Sequence, residues 1–434
     1  MDKPIIYDIL GIGIGPFNLG LAALTEQIPS LKCIFLDEND AFNWHPGLLL
    51  PWATMQVPFH ADLVTLADPC SKFSYLSYLK ARKRLFRFTI REKYFPFRSE
   101  YNDYCQWMSD QLKNLSFGFR VENIEYSDNL SAYKIFALNM HCKEQEHFYA
   151  KHIVIGIGSR PHIPECAKDK LRLPHLLHSS DYLYCKEALL KKDNVTIIGS
   201  GQSAAEIFCD LLEYYPGKLK KLSWFTRSTF FPMDYSKFSC EMTSPEYVDY
   251  FYSLDSAVKE EILSRQGNLY KGINASLIDA IYDKLYLLSL THPDLYSDVL
   301  LLSHCDLRNV EMCGTKISLQ FFHRQKKQFF ELTTEGAILA TGYEYRSPSF
   351  LQNVKELLSF DEKGHFAVHR NYSIDKAGNT LFIQNAELHS HGFNSADLGL
   401  GVYRNAVIIN SILGCEYYTI EDAAVFQTFG MSHF

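Results

Sequence analysis

Two strand–glycine turn–helix units, far apart in a chain of 434 residues, predict an α/β fold, and 47% hydrophobic residues are enough to build real cores around them. Short apolar runs that end in glycine recur later in the chain, as the strands of parallel sheets do. Together these observations predict two Rossmann-like dinucleotide-binding domains with a small, mostly helical segment beside them.

The first unit opens with Ile5–Leu10, apolar but for Asp8, which reads as a buried strand and is followed at once by Gly11, Gly13, Gly15 and Pro16. Phe17 to Leu24 reads as a helix, and Cys33–Leu36 as a second strand ending in Asp37. Glycine at 11 and 13 permits the tight turn and lets a diphosphate approach the free N–H groups of the helix. Asp37 lies about 20 residues on, where a carboxylate accepts the hydroxyls of a ribose.

The second unit repeats the order. Asn194–Ile198 is a strand, Gly199, Gly201, Gln202 and Ser203 form the turn, and Ala205 to Leu212 is a helix. Its next strand, Leu222–Phe225, ends in Arg227 where an acid would favour NADH, and a guanidinium there suits the extra 2′-phosphate of NADPH. Two such folds in one chain imply a tightly held flavin, FAD, and an exchanging NADPH. Ile153–Gly158 and Ala337–Tyr343 read as short strands that return the chain to the first sheet. The NADPH domain, 189–331, is then inserted within a discontinuous FAD domain, 1–188 and 332–434. Leu381–Asn385 is a late sheet strand, and Asp397 to Leu413 a final helix beside the flavin.

Composition excludes several classes. A net charge of −7 and a pI near 6.1 speak against nucleic acid as a partner. The basic runs Lys80–Arg84 and Lys218–Lys221 are short and read as solvated faces. None of the 11 cysteines forms a Cys-x-x-Cys pair, which fits reduced thiols in the cytoplasm and no metal centre. The apolar start is broken by glycine and proline and lacks a basic flank, so neither a signal peptide nor a membrane span is expected.

The runs Gly11–Leu19 (GIGIGPFNL), Phe42–Gly47 (FNWHPG), Met55-Gln56, Gly199–Glu206 (GSGQSAAE) and Ala340–Tyr343 (ATGY) closely resemble the bacterial N-hydroxylating flavin monooxygenases of siderophore synthesis. The resemblance runs from residue 7 to about 413, in the family's order. It implies a reaction in which FAD reduced by NADPH captures O2 as a flavin hydroperoxide and gives one oxygen atom to the nitrogen of a small primary amine. The protein orients the groups, excludes solvent and favours the neutral amine. By the same resemblance Gln56 is the residue placed at the reacting groups, beside flavin and nicotinamide. Trp44, His45 and Pro46 shape the loop over the flavin, and Thr341, Gly342 and Leu398 are further cofactor contacts. Arg98, Glu100 and Tyr104 brace the FAD domain, and His178–Tyr182 lies near the domain crossing. Relatives are commonly dimers or tetramers.

Departures from the family bear on the substrate. The amino-acid branch carries a lysine for the substrate carboxylate in a Phe-Leu-Lys-Asp-Leu-Val stretch; here the stretch is Phe59-His60-Ala61-Asp62-Leu63-Val64. An asparagine that contacts the amino-acid head in the ornithine enzymes is replaced by Cys240, next to Glu241. A buried carboxylate deprived of its partner costs about 3–5 kcal/mol, and each factor of ten in binding is worth about 1.4. Lysine and ornithine are therefore expected to be poor substrates, and an amine without a carboxylate, histamine or a diamine such as putrescine or cadaverine, a better one. The helical segment of about 234–295 is expected to bind it. His60 suits a pocket wall as well as a substrate contact, Glu241 and Asp62 a loop brace as well as an ammonium site. Lys271 and Asn274 fall where the family places substrate and nicotinamide contacts, and Tyr247–Leu254 has the spacing of core. Three rival readings are an L-lysine N6- or L-ornithine N5-monooxygenase, a flavin disulfide reductase and a flavin-binding module without activity.

Overall fold

The structure, a computed structural model, describes residues 4–171, 173–421 and 423–431. The first sheet is built on the strand Ile6–Ile12, which is parallel to Cys33–Asp37 on one side and to Gln145–Ile155 on the other, with Gly11 in register with Phe35 and Val154. Leu115–Phe117 adds a parallel edge. Gln145–Ile155 is long enough to take two partners along one edge: Ala132–Asn139 pairs antiparallel with its first half, and Leu381–Ile383 pairs parallel with Ile153–Ile155. Apolar runs at the centre of this sheet are buried on both faces, as parallel strands require.

The helix Pro16–Thr25 starts with proline at its first position and is buried from Asn18 to Thr25, between the sheet and the last helix, Leu398–Leu413. Gly13 has φ +86°, and a Cβ there would lie 2.6 Å from the Gly156 carbonyl oxygen, so the turn closes only with glycine. The predicted helices and strands of this unit stand where the pattern puts them.

The second sheet is all parallel, in the order Val299–Leu302, Lys221–Phe225, Asn194–Ile198, Gly336–Leu339 and Leu176–His178. This corrects one expectation. Ala337–Leu339 does not return to the first sheet; it pairs with Thr196–Ile198 and Leu176–His178 in the second. An apolar run into glycine fits the centre of either parallel sheet, and nothing local to it names the partner. The segments up to 188 and from 332 thus each give one strand to the second sheet. The chain crosses between the sheets through a ribbon of Arg160–Pro161 against Tyr343–Glu344. His178 Nε2 lies 3.1 Å from the Gly342 carbonyl there.

An antiparallel unit of Cys305–Cys313, Lys316–His323 and Gln328–Thr334 leads into Gly336–Leu339, and its apolar face packs on Phe225 and Leu339. Helices fill most of 237–289, as expected, and Tyr247, Val248 and Phe251 are core. Among the described residues no helix is long and apolar enough to cross a membrane, and no cluster of three His, Cys, Asp or Glu residues could hold a metal.

Gly199 has φ +152°, and a Cβ there would lie 2.0 Å from the Ala340 carbonyl oxygen. Gly199→Ala is expected to lower stability by about 1–3 kcal/mol or more, read as a lower urea midpoint. An unchanged midpoint would mean that the turn tolerates a side chain.

Candidate active site

A cavity of about 1290 Å³ runs between the two sheets and the helical segment. At one end Gly13, Gly15 and Pro16 line it at the start of the helix Pro16–Thr25, which no side chain caps and whose first turn holds no acid. Gly158 lies beside them, with nothing within 4 Å of where a Cβ would stand. Open N–H groups at a helix start, glycines that leave room and no competing carboxylate in the first turn fit the diphosphate of a dinucleotide. Asp37 also lines this end, and its Oδ2 accepts the Ile14 N–H at 2.7 Å, tying the turn to the strand end. Gly11 is not on the wall; it packs against the Phe35 ring, where a Cβ would clash at 2.0 Å.

Trp44 and His45 form the next stretch of wall. The Trp44 N–H donates to Asn102 Oδ1 at 2.8 Å, and His45, at φ +49°, packs edge-on against Trp44 and Tyr343. Burial, with Arg98 nearby, pushes the His45 pKa down to about 4, so it is neutral at pH 7. The helix Arg98–Ser109 braces this wall: Glu100 and Asp103 pair with Arg84, and Tyr104 donates to the Phe73 carbonyl.

Where the two sheets meet, a polar circuit closes. Arg98 Nε donates to the Thr54 carbonyl at 3.3 Å, and its Nη1 to Glu206 Oε2 at 2.8 Å. Glu206 Oε1 accepts from Gln202 Nε2 at 2.9 Å, and Gln202 Oε1 accepts the Asn274 N–H at 2.8 Å. Gln56 Nε2 donates to Asn274 Oδ1 at 3.1 Å, which returns the circuit to the loop that carries Thr54. Gln56 therefore lies on the cavity wall at the seam between the sheets, with Ser203 from the second glycine turn.

Not every expected residue reaches the cavity. Gly199, Gly201 and Gln202 form the second turn without lining it, and Arg227 stands exposed past the strand Lys221–Phe225. Thr341 and Gly342 belong to the crossing: the Thr341 hydroxyl donates to the His162 carbonyl, and Gly342 O faces His178. Asn274 braces Gln56 instead of facing the cavity, and Lys271 Nζ lies 4.8 Å over the Tyr270 ring, leaving Leu269 and Tyr270 on the wall. Glu241 points away, with its carboxylate accepting the N–H groups of Phe426 and Gln427 at 3.2 and 3.0 Å. Thr341, Asn274, Lys271 and Glu241 each have a local partner, while Arg227 is open to solvent.

Another stretch of the cavity wall gathers His60, Ala61, Leu66 and Cys240 with Leu398 and two residues the motifs do not mark, Tyr235 and Asp397. Asp397 caps the helix Leu398–Leu413, its Oδ1 accepting the Leu400 N–H at 2.9 Å. A side chain built on Gly399 would meet Asp397 Oδ1 at 3.2 Å and the Ala61 methyl at 3.4 Å, so acid and alanine both border Gly399. Burial raises the Asp397 pKa, against the helix-start N–H groups and the positive charge of Arg404. Arg404 itself is held by Glu387. Asp62 is a loop brace, accepting the N–H groups of Val64, Thr65 and Tyr75. Among the described residues the one free cation on the wall is Lys237, exposed to solvent. Among the described residues Cys240 is the lone cysteine there, so the thiol pair of a disulfide reductase is missing.

Residues 5–345 match the L-lysine 6-monooxygenase/L-ornithine 5-monooxygenase family. The chain belongs to this family. It is 45% identical over 427 residues to the putrescine N-hydroxylase of Shewanella oneidensis, covering 98% of this chain and 84% of the other. The FAD-bound crystal structure of the cadaverine monooxygenase of desferrioxamine biosynthesis from Erwinia amylovora superposes with a TM-score of 0.95, at 45% identity, covering 98% and 99% of the two chains. The ornithine N-hydroxylase of Kutzneria with reduced FAD, NADP+ and L-ornithine gives 0.85 at 25% identity, covering 94% and 99%. As a family member the chain is a flavin-dependent N-hydroxylating monooxygenase that uses FAD and NADPH.

Glu206 is fully buried, and burial raises its pKa even with Arg98 beside it. Arg98→Gln is expected to cost about 3–5 kcal/mol, since it strands a buried acid. With its pKa above the ordinary 4.5, Glu206 binds its proton more tightly in the folded state than in the unfolded one. Stability of the variant then falls as pH rises through the window between those two values. Denaturant midpoints from pH 5 to pH 8 check this: the loss relative to the parent is expected to widen toward pH 8.

Proposed function

We propose that the enzyme N-hydroxylates an aliphatic diamine of the putrescine or cadaverine kind, giving an N-hydroxydiamine for hydroxamate siderophore synthesis. The observation that carries this reading is the Asp397 carboxylate beside Ala61, at the place where the amino-acid branch carries a lysine. With no cation at Ala61 and a carboxylate nearby, this wall suits an ammonium and not a carboxylate. Relatives that act on putrescine and cadaverine support the same class.

When bound, FAD reduced by NADPH would activate O2, so that one oxygen atom goes to the amine and the other leaves as water. The chain's own residues do the rest. The glycine turn and helix start at Gly13, Gly15 and Pro16 hold the FAD diphosphate, Asp37 its ribose, and Trp44, His45 and Leu398 flank the ring system. The turn at Gly199, Gly201, Gln202 and Ser203 receives NADPH, whose 2′-phosphate pairs with Arg227. Gln56 is held by Asn274 at the seam, where its side chain can meet both cofactors. Asp397 holds the distal ammonium and so fixes how far the other amino group reaches toward the flavin. Free alkylamines have pKa values on the order of 10, so the reacting end must lose its proton. Water exclusion by the apolar wall favours that neutral form. His45, being neutral, adds no cation to repel the substrate.

Lys237 favours a second reading, in which it replaces the lost lysine and the substrate is an amino acid. An exposed ammonium is screened by water and salt, whereas the Asp397 carboxylate is more enclosed, which weighs for the diamine.

Asn caps a helix as well as Asp does, so Asp397→Asn removes the charge and keeps the cap. It is expected to raise the KM for putrescine and cadaverine at least tenfold, about 1.4 kcal/mol, with FAD content unchanged. The parent's diamine KM is expected to rise as pH falls through the raised Asp397 pKa, because the carboxylate then takes up a proton. If the asparagine variant keeps its diamine KM and Lys237→Ala abolishes turnover of lysine or ornithine, the amino-acid reading replaces this one. Arg227→Ala is expected to raise the KM for NADPH tenfold or more and to leave that for NADH in place. Equal effects on the two cofactors would sink the phosphate role.

A further inference from the structure

The outer wall of the amine end is a single helical turn, Lys237–Cys240, with no buried residue of its own. It supplies Lys237, Ser239 and Cys240 to the cavity, yet four residues are too few to hold a helical turn in place unaided. On its inner flank Asp234 fastens it, accepting from the Ser236 N–H and the Ser239 hydroxyl. On its outer flank the contacts come from the far end of the chain. Glu241, just past the turn, accepts the Phe426 and Gln427 N–H groups, one on each carboxylate oxygen. Gln427 Nε2 donates to the Phe238 carbonyl at 2.6 Å, and the Ala424 N–H donates to Glu246. Phe429 packs edge-on against Tyr247 at 5.1 Å and stacks near Tyr250 at 6.1 Å.

These contacts do more than tidy a terminus. Phe426 is 98% exposed, so hydrophobic burial at that residue does not hold the segment; two backbone N–H groups on one carboxylate and one aromatic anchor do. The residue they engage is the neighbour of Cys240, which lines the cavity. We infer that residues 424–430 form a strap that sets the position of the substrate wall, and that Glu241 is the positioning residue through which it acts. This rests on the reading of the cavity behind Cys240 as the amine site. The strap offers the family reaction a specificity device remote from both cofactors: a change in the tail moves the wall without touching either nucleotide.

The test compares the FAD-loaded parent with Glu241→Ala, Glu241→Gln, Phe429→Ala and a chain ending at residue 421. Hydrogen–deuterium exchange across 237–243, measured without amine, is expected to quicken in Glu241→Ala, Phe429→Ala and the shortened chain. Glu241→Gln, which keeps an acceptor oxygen, is expected to fall between parent and alanine variant. In the same proteins the KM for putrescine or cadaverine is expected to rise fivefold or more, with FAD content and the KM for NADPH unchanged. Exchange that stays slow in the point variants overturns the strap, and so does a loosened turn with an unaltered amine KM. Asp397→Asn run in parallel keeps the two ideas apart. If it leaves the diamine KM alone while the strap variants raise it, the role given to Asp397 fails and the strap stands.

Discussion

Everything in the reaction chamber is referred to one buried ion pair, Arg98 with Glu206, which spans the seam between the two sheets. Arg98 comes from the helix behind the flavin-side wall, and Glu206 from the first helix of the second nucleotide unit. Burying an acid this deeply is tolerable only with its partner in place and its other oxygen satisfied, and Gln202 provides that bond. Because the same glutamine takes the Asn274 N–H, and Asn274 takes Gln56, the distance between the two sheets and the pose of Gln56 are one geometric fact. A cofactor that must be reduced by a second one needs that spacing fixed, and a network with every member hydrogen-bonded fixes it better than apolar packing alone.

A second constraint lies at Asp397, on the cavity wall beside Gly399. Asp397 is enclosed, which disfavours its charge, but it sits at the start of a 16-residue helix, whose N–H groups and dipole favour it. On the proposed reading, the cap and the ammonium contact are the same carboxylate. Opposite demands on one side chain are met because Leu400 needs only one of its two oxygens.

Both nucleotide units were legible in the chain because their chemistry is local. Gly13 is forced by a turn, Pro16 by a helix start and Asp37 by a strand end, each within one short stretch of chain. Ala61 and Cys240 were legible as departures, and both do line the cavity. What the pattern could not give was partnership across the chain. Asp397 looks like an ordinary cap, and its meeting with Ala61 is set by packing of the last helix on the first. Ala337–Leu339 has the composition of any inner parallel strand, so its sheet was open until the register with Asn194–Ile198 was known. Glu241 and Lys271 have the right residue types in the right region, but a tail and a neighbouring ring claim them. The alternation of Lys316–Phe321 marks a strand of the antiparallel unit 305–334, but nothing local to it names the sheet on which its apolar face packs.

The long strand Gln145–Ile155 has a consequence for assembly. Its lower half finds its neighbour, Ala132–Asn139, within the same stretch of polypeptide, while its upper half waits for Leu381–Ile383. As the chain leaves the ribosome, the NADPH-side sheet has all five strands by residue 339, whereas the flavin-side sheet still lacks one. Flavin capture is thereby deferred to the end of synthesis, when the closing strand and the helix behind it arrive together, and a chain broken before them has no finished berth for the cofactor.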